Sequence, residues 1–188
     1  MPALQRRLRR RGVTRSRDEV AGAFKTEIEY YGGRAFEGRD DASLTRLRRD
    51  CCGVFLASLA AELDPEEFLP DFVASLHFRA EDGVLEALRL LRSRGLALAV
   101  VSNWDCSLAQ RLEETGLLGF FDRVVSSALV GAPKPDPRIF LYALEQLSVS
   151  PARSLHIGDS EDDQAGAASA GMGFAWAPLA TALKELSE

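Results

Sequence analysis

Leu96-Ala97-Leu98-Ala99-Val100-Val101-Ser102-Asn103 is the stretch on which the fold turns. Six apolar residues run without a polar break and stop at two hydrogen-bonding side chains. A strand wet on one face alternates apolar with polar residues, whereas a continuous apolar run is how a strand covered on both faces reads. The spacing therefore predicts a buried strand over residues 96–101 with polar groups at its carboxyl end. Just upstream, Asp82 to Arg94 has the apolar spacing of an amphipathic helix and closes at Gly95. Downstream the same alternation continues. It predicts a helix over about 106–115, a strand over Val124 to Ser127, and a helix opened by Asp136-Pro137. A strand over Ser154 to Ile157, a small-residue helix over Asp162 to Ala170, a strand over Gly173 to Ala177 and a helix over about 179–187 follow. Strands alternating with helices give the α/β class, a parallel sheet between two helical layers in the three-layer, Rossmann-like manner.

Upstream of residue 79 no strand is predicted. Ser16 and Glu19 have the spacing of a capping box, and Val20, Phe24, Ile28 and Tyr31 recur at helical intervals before Gly32-Gly33. A second helix follows Asp40-Asp41, with Leu44, Leu47, Cys51, Phe55 and Leu59 on one stripe. A third opens at Asp64-Pro65-Glu66-Glu67, where a cap, a first-position proline and two acids suit a helix N-terminus. The predicted organisation is an all-helical domain over residues 1–78 followed by an α/β domain over residues 79–188.

Composition narrows the function classes. At 188 residues, 46% apolar and 27% charged, the chain is an ordinary globular sequence and not a disordered or low-complexity one. No apolar run nears the roughly 20 residues that span a bilayer, and no apolar stretch follows the N-terminal arginines as in a secretory signal. Three cysteines, two of them the adjacent Cys51 and Cys52, make no disulfide framework, so the expected compartment is reducing and cytoplasmic. Residues 1–49 hold 13 Lys and Arg against 7 Asp and Glu, and the rest holds 10 against 21. The strongest basic element, Gln5 to Arg11, has no interleaved aromatic residues to stack bases. It reads as a solvated helical face, and neither nucleic acid nor membrane is an expected partner.

In open α/β sheets ligands bind beyond the carboxyl ends of the strands, and the polar residues of this chain fall there. Ser102-Asn103 ends one strand, and Gly158-Asp159-Ser160 ends another, with Asp163 one helical turn later. Lys134 lies between prolines in Gly131-Ala132-Pro133-Lys134-Pro135-Asp136-Pro137, a stiff segment before a helix. Carboxylates at Asp159 and Asp163 suit Mg²⁺, which takes one or two carboxylates plus phosphate oxygens and water. A lysine ammonium suits a phosphoryl group as a point charge, and the Ser102 hydroxyl with the following amide offers donors to its oxygens. Taken one at a time, each has a bland reading as a cap, a surface loop or a solvated helix start. Their common placement at strand ends makes phosphoryl transfer the sharper joint reading.

Three segments in order resemble motifs of the haloacid dehalogenase-like superfamily, in its branch with a helical cap. Val100-Val101-Ser102-Asn103-Trp104-Asp105 resembles the second motif, and Val130 to Phe140 with Lys134 resembles the third. His156-Ile157-Gly158-Asp159-Ser160-Glu161-Asp162-Asp163, followed by Gly166-Ala167 and Ala170-Gly171-Met172, resembles the fourth. Residues 1–78 resemble the cap by helical content and position. The resemblance implies a Mg²⁺-dependent hydrolase, most often a phosphatase of a small phosphorylated metabolite. In that scheme Ser102 and Asn103 bind the phosphoryl group, Lys134 neutralises charge around the nucleophile, and Asp159 ligates Mg²⁺. Asp163 either assists Asp159 or orients the lysine.

The family's first motif, an Asp-x-Asp element ending a first strand that carries the nucleophile, is missing: no Asp-x-Asp occurs in the chain. In the family that strand lies between those bearing the second and fourth motifs. Three origins of the gap stay open: a longer product that supplies the strand upstream, which is the favoured one; a non-catalytic remnant that binds a ligand or partner; and a strand supplied by another chain. The chain as written is expected to be inactive. A haloacid dehalogenase, which attacks carbon without Mg²⁺, is the alternative enzyme, and Gly158-Asp159 with Asp163 leans toward the metal-using branch. Trp104 and Cys106 read as packing residues, His156 as a strand-interior residue and His77 as one at the cap boundary, neither histidine with metal-ligand spacing. Substrate identity and oligomeric state are not legible in the sequence.

Overall fold

The computed structural model describes residues 2–185. The chain divides into two compact units, Met1–His77 and Phe78–Glu188.

The first unit is helical: α1 (Pro2–Arg10), α2 (Arg17–Gly32), α3 (Asp41–Ser58) and α4 (Pro65–Val73). Three of these start where a side chain satisfies the orphan N–H groups of the first turn. The Ser16 hydroxyl accepts from the Glu19 amide at 3.2 Å, and the Glu19 carboxylate accepts from the Ser16 amide at 2.8 Å. Asp40 and Ser43 repeat this exchange at α3. At α4 the Asp64 carboxylate accepts from the Glu66 amide at 2.8 Å, with Pro65 in the first position, where a missing N–H costs nothing. The expected α3 stripe of Leu44, Leu47, Cys51, Phe55 and Leu59 is buried throughout. Leu47, Cys51, Phe55 and Leu59 of this stripe pack with Leu4, Leu8, Val20, Phe68 and Phe72 into one core. The arginine run lies on α1 around the buried Leu4 and Leu8. Arg7 (2.7 Å) and Arg11 (3.1 Å) share Asp71, a half-exposed cluster that tethers α1 to α4 and is worth about 1 kcal/mol or less per pair.

The α2 stripe is rotated from the predicted one. Ile28 is 50% exposed, while Glu27, at 6%, turns inward beside Val20 and Ala23. Burial holds the Glu27 carboxyl above the ordinary value of 4.5, against an opposing hydrogen bond from Cys51. An acid raised in the folded state binds more protons there than in the unfolded chain, so its contribution to stability falls as pH rises above 4.5. Glu27→Gln is therefore expected to flatten that part of the stability profile and to raise the melting midpoint at neutral pH. Parallel thermal melts at pH 5 and pH 8 check this, and an identical pH dependence in both proteins counts against it.

The second unit contains α5 (Val84–Ser93), β1 (Ala99–Ser102), α6 (Leu108–Glu114), β2 (Arg123–Ser126), α7 (Ser127–Val130) and α8 (Arg138–Leu147). It continues with β3 (Leu155–Gly158), α9 (Glu161–Ser169), β4 (Gly173–Trp176) and α10 (Leu179–Glu185). The predicted α/β alternation is present, with one short helix, α7, added. Residues 186–187 of the last predicted helix lie outside the described residues. α5 opens two residues later than predicted because Gly83 sits at φ +80°, a left-handed conformation that breaks the helix.

The strands run parallel as expected, but they form two sheets. β1 pairs with β2, placing Ser102 opposite Ser126, and β3 pairs with β4, placing Gly158 opposite Trp176. Among the described residues no ladder joins β1 to β3. Helix α8 ties the pairs together. It packs on β1 and β2, and its Phe140 ring meets the His156 ring of β3 edge-on at 4.9 Å. The split corrects the reading of residues 96–101. The strand is shorter, Ala99–Ser102, and only half-buried, and Leu96 is 47% exposed. A strand with one partner lacks the cover that a continuous apolar run presumes.

Candidate functional site at the strand carboxyl ends

The loop after β1 is pinned from two directions. The Ser127 hydroxyl, at the start of α7, accepts from the Trp104 amide at 3.1 Å and donates to the Trp104 carbonyl at 3.2 Å. The Asn103 side chain grips the backbone of Lys134: its Nδ2 donates to the Lys134 carbonyl at 3.1 Å, and its Oδ1 accepts from the Lys134 amide at 2.7 Å. This two-point clasp joins the end of β1 to the proline-bounded loop before α8. Ser102, one residue earlier, is half-buried, and its hydroxyl makes no hydrogen bond to the described residues.

The lysine side chain is held from the other sheet. Its Nζ lies 2.5 Å from Asp163 Oδ1, in α9. The His156 Nε2, in β3, lies 2.7 Å from the same oxygen. Asp163 Oδ2 accepts from the Ser160 hydroxyl at 2.6 Å, and that hydroxyl caps α9 by accepting from the Asp163 amide. Asp163 is 2% exposed and the Lys134 side chain 12%. Burial alone would raise the Asp163 pKa, but hydrogen bonds from His156, Lys134 and Ser160 outweigh it and hold the carboxyl far below its ordinary range.

Two glycines let these groups approach. A Cβ on Gly158 would sit 2.5 Å from the Cβ of Asp163, and one on Gly166 would sit 2.4 Å from the Phe140 ring and 3.0 Å from the Pro135 carbonyl. The bare backbone at these positions seats α9 against both β3 and the lysine loop. Gly158→Ala is expected to cost about 1–3 kcal/mol, as overpacking does; an unchanged urea midpoint would refute the close fit.

Three of the predicted residues are thus brought together: Asn103 holds the Lys134 backbone, and Asp163 holds its ammonium. Asp159 follows β3 directly, is exposed, and makes no hydrogen bond to the described residues. Asp163 has both oxygens engaged by donors within the protein. Of the two offices expected for it, orienting the lysine is the one its contacts describe. Among the described residues no three His, Cys, Asp or Glu side chains gather to hold a metal ion. The donor set fits Mg²⁺ at one corner only, through the hard, unengaged carboxylate of Asp159. His156, which the sequence presents only as a strand-interior residue, joins the site through Asp163. The signal was a polar ring inside an apolar strand, which needs a partner once buried. Trp104 packs edge-on against Phe78 at 5.3 Å, as its bland reading expected.

A family profile described as haloacid dehalogenase-like hydrolase matches residues 13–171. Over 108 residues the chain is 46% identical to the haloacid dehalogenase-like hydrolase domain-containing protein 3 of Bos taurus, covering 57% of this chain and 43% of that one. Over 128 residues it is 34% identical to a phosphoglycolate phosphatase of Thiobacillus denitrificans, covering 63% of this chain and 56% of the other. The chain spans about half the length of the curated relatives it matches. Among solved structures it superposes with a TM-score of 0.69, at 24% identity, on a putative HAD-hydrolase of Bacillus subtilis described as bound to magnesium. That superposition covers 93% of this chain and 77% of the other. It speaks for the fold alone. No described helix is long and apolar enough to cross a membrane.

Proposed function

The chain belongs to the haloacid dehalogenase-like hydrolase family, and from that premise we propose that its α/β unit carries the phosphoryl-binding site of a Mg²⁺-dependent phosphatase acting on a small phosphorylated metabolite. The helical unit, residues 1–78 in this reading, is the cap that selects the metabolite. The observation that carries the proposal is the convergence on Lys134. Its backbone is clasped by Asn103 and its ammonium by Asp163, while the neighbouring Ser102 hydroxyl and Asp159 carboxylate stay unengaged. In this reading Ser102 and the amide after it hold phosphoryl oxygens. Lys134 offsets the charge that gathers as the phosphoryl group transfers, and Asn103 acts on the loop of the lysine, not on the substrate. Asp159, with phosphate oxygens, water and a further carboxylate, would hold Mg²⁺, whose chemistry there is neutralisation of phosphoryl charge. Asp163 keeps the lysine in place.

The attacking carboxylate is not among these residues. The reading places it on a strand between β1 and β3, whose carboxyl ends flank the lysine. The carboxylate oxygen displaces the metabolite alcohol from phosphorus, and water then releases phosphate and restores the carboxylate. Relatives bearing phosphatase names at 34% identity support phosphate over halide chemistry. The test is a paired assay of p-nitrophenyl phosphate turnover and halide release from 2-chloropropionate, each with and without EDTA. The protein used carries an apolar strand ending in Asp-x-Asp fused ahead of the chain. EDTA-sensitive phosphate release supports the proposal. EDTA-resistant halide release means a dehalogenase. A folded, phosphate-binding but inert fusion means a binding protein.

A further inference from the structure

The Lys134–Asp163 contact has a third member that the phosphatase reading does not use. His156 stands in the middle of β3 with its ring between Phe140, edge-on at 4.9 Å, and Phe174 at 6.2 Å. Its Nε2 meets Asp163 Oδ1, the oxygen that also receives the lysine ammonium. An ionised carboxylate only accepts hydrogen bonds. Asp163 Oδ1 faces the Lys134 ammonium and Oδ2 accepts from the Ser160 hydroxyl, the surroundings of a carboxylate, so we place the proton of that contact on His156 Nε2. With Ser160 on the other oxygen, three donors from β3, the turn after it and the lysine loop fix the carboxylate on both sides.

We propose that His156 is a positioning residue: it donates from Nε2 to Asp163 Oδ1 and so sets the angle at which that oxygen can receive Lys134, fixing where the ammonium stands. Phe140 meets the imidazole edge-on from where Gly166 leaves space for the phenyl edge. The chain of contact runs from the helix-packed floor of β3, through one shared oxygen, to the cation at the strand ends. Two donors on Oδ1 and one on Oδ2 also leave Asp163 poorly placed as a metal ligand, which separates its office from that of Asp159. The inference rests on the phosphatase reading only for what the placed ammonium is used for. The placement itself is read without turnover.

The chain has three lysines, Lys25, Lys134 and Lys184, and two histidines, His77 and His156, so the test resolves single side chains in the full chain. Nitrogen-15 spectra of lysine ammonium groups near 5 °C are expected to show one slowly exchanging signal, lost in Lys134→Arg. Lys25 and Lys184 are exposed and exchange quickly. Long-range imidazole spectra are expected to give His156 the Nε2–H pattern. His156→Leu should speed exchange of the Lys134 protons about tenfold or more, the factor lost with a hydrogen bond to a charged group. His156→Gln, whose side-chain amide nitrogen reaches as far as Nε2, should restore most of the protection. An Nδ1–H pattern for His156 in the unaltered protein overturns the proposal even if no variant folds. So does a folded His156→Leu protein with an unchanged Lys134 signal.

Discussion

Asp163→Ala is expected to destabilise the α/β unit by about 3–5 kcal/mol, the cost of removing one partner from a buried ion pair, and to be the most damaging single truncation at the site. The carboxylate is 2% exposed, and the Lys134 side chain it serves is 12% exposed. Its loss strands an ammonium away from bulk water and leaves His156 and Ser160 without their acceptor. Against the 5–15 kcal/mol that holds a typical domain together, that is a large share, and urea unfolding of the α/β unit would register it as a much earlier midpoint. The double variant Lys134→Met with Asp163→Leu is expected to recover the part of the loss due to the stranded ammonium, but not the part due to His156 and Ser160, which stay without their acceptor. The charge also predicts a pH dependence. The folded pKa of Asp163 lies below the ordinary 3.8, so the folded state binds fewer protons than the unfolded chain. Its contribution is fully present above 3.8 and is lost as pH falls through that value toward the folded pKa. Asp163→Asn should lack that acid-labile part. A midpoint within error of the parent for Asp163→Ala would show that the lysine finds water or another partner, and would remove the basis for calling the pair structural.

The helix starts were legible because caps are local chemistry. Ser16 with Glu19, and Asp64 with Pro65, need nothing beyond a few residues of chain to be recognised. The alternation of β and α in the second half was legible for the same reason, as was the convergence of polar residues on strand ends. What escaped is what depends on partners distant in sequence. Glu27 takes the inward place on α2 that apolar periodicity gives to Ile28, because the Cys51 thiol of α3 receives it. Leu96 to Leu98 read as strand, yet pairing starts at Ala99, since only β2 is there to receive it. His156 reads only as a strand-interior residue because its partner Asp163 lies a strand end and a helical turn away. Nothing near Asn103 in sequence announces its clasp on the Lys134 backbone, 31 residues on.

The split between β1 and β3 carries the prediction with the largest functional effect. A purified chain of residues 1–188 is expected to turn over no p-nitrophenyl phosphate with or without Mg²⁺, and a strand laid into the split is expected to switch turnover on. In a parallel ladder alternate peptide groups point to either side, so a strand with one partner leaves half of its N–H and C=O groups facing away. Here that applies to β1 and to β3, with half-buried Val100 and Val101 on one and the 43% exposed Leu155 on the other. In the proposed reading one added strand pairs both edges, each hydrogen bond contributing about 0.5–1.5 kcal/mol net. That reading puts its carboxyl end near Lys134. Supplied as a free peptide, the strand also costs about 4–15 kcal/mol in lost translational and rotational freedom. Fusion removes most of that cost through effective concentration, so the fused form is expected to act where the peptide binds weakly. Hydrogen exchange separates the structural half of the prediction from the chemical half. Amides of β1 and β3 should gain protection in the fusion even when its leading aspartate is changed to Asn, whereas phosphate release should vanish. Turnover by the unfused chain would mean that a carboxylate already within it attacks phosphorus. Unaltered exchange in the fusion would mean that the two sheets are held apart by something other than an unfilled place.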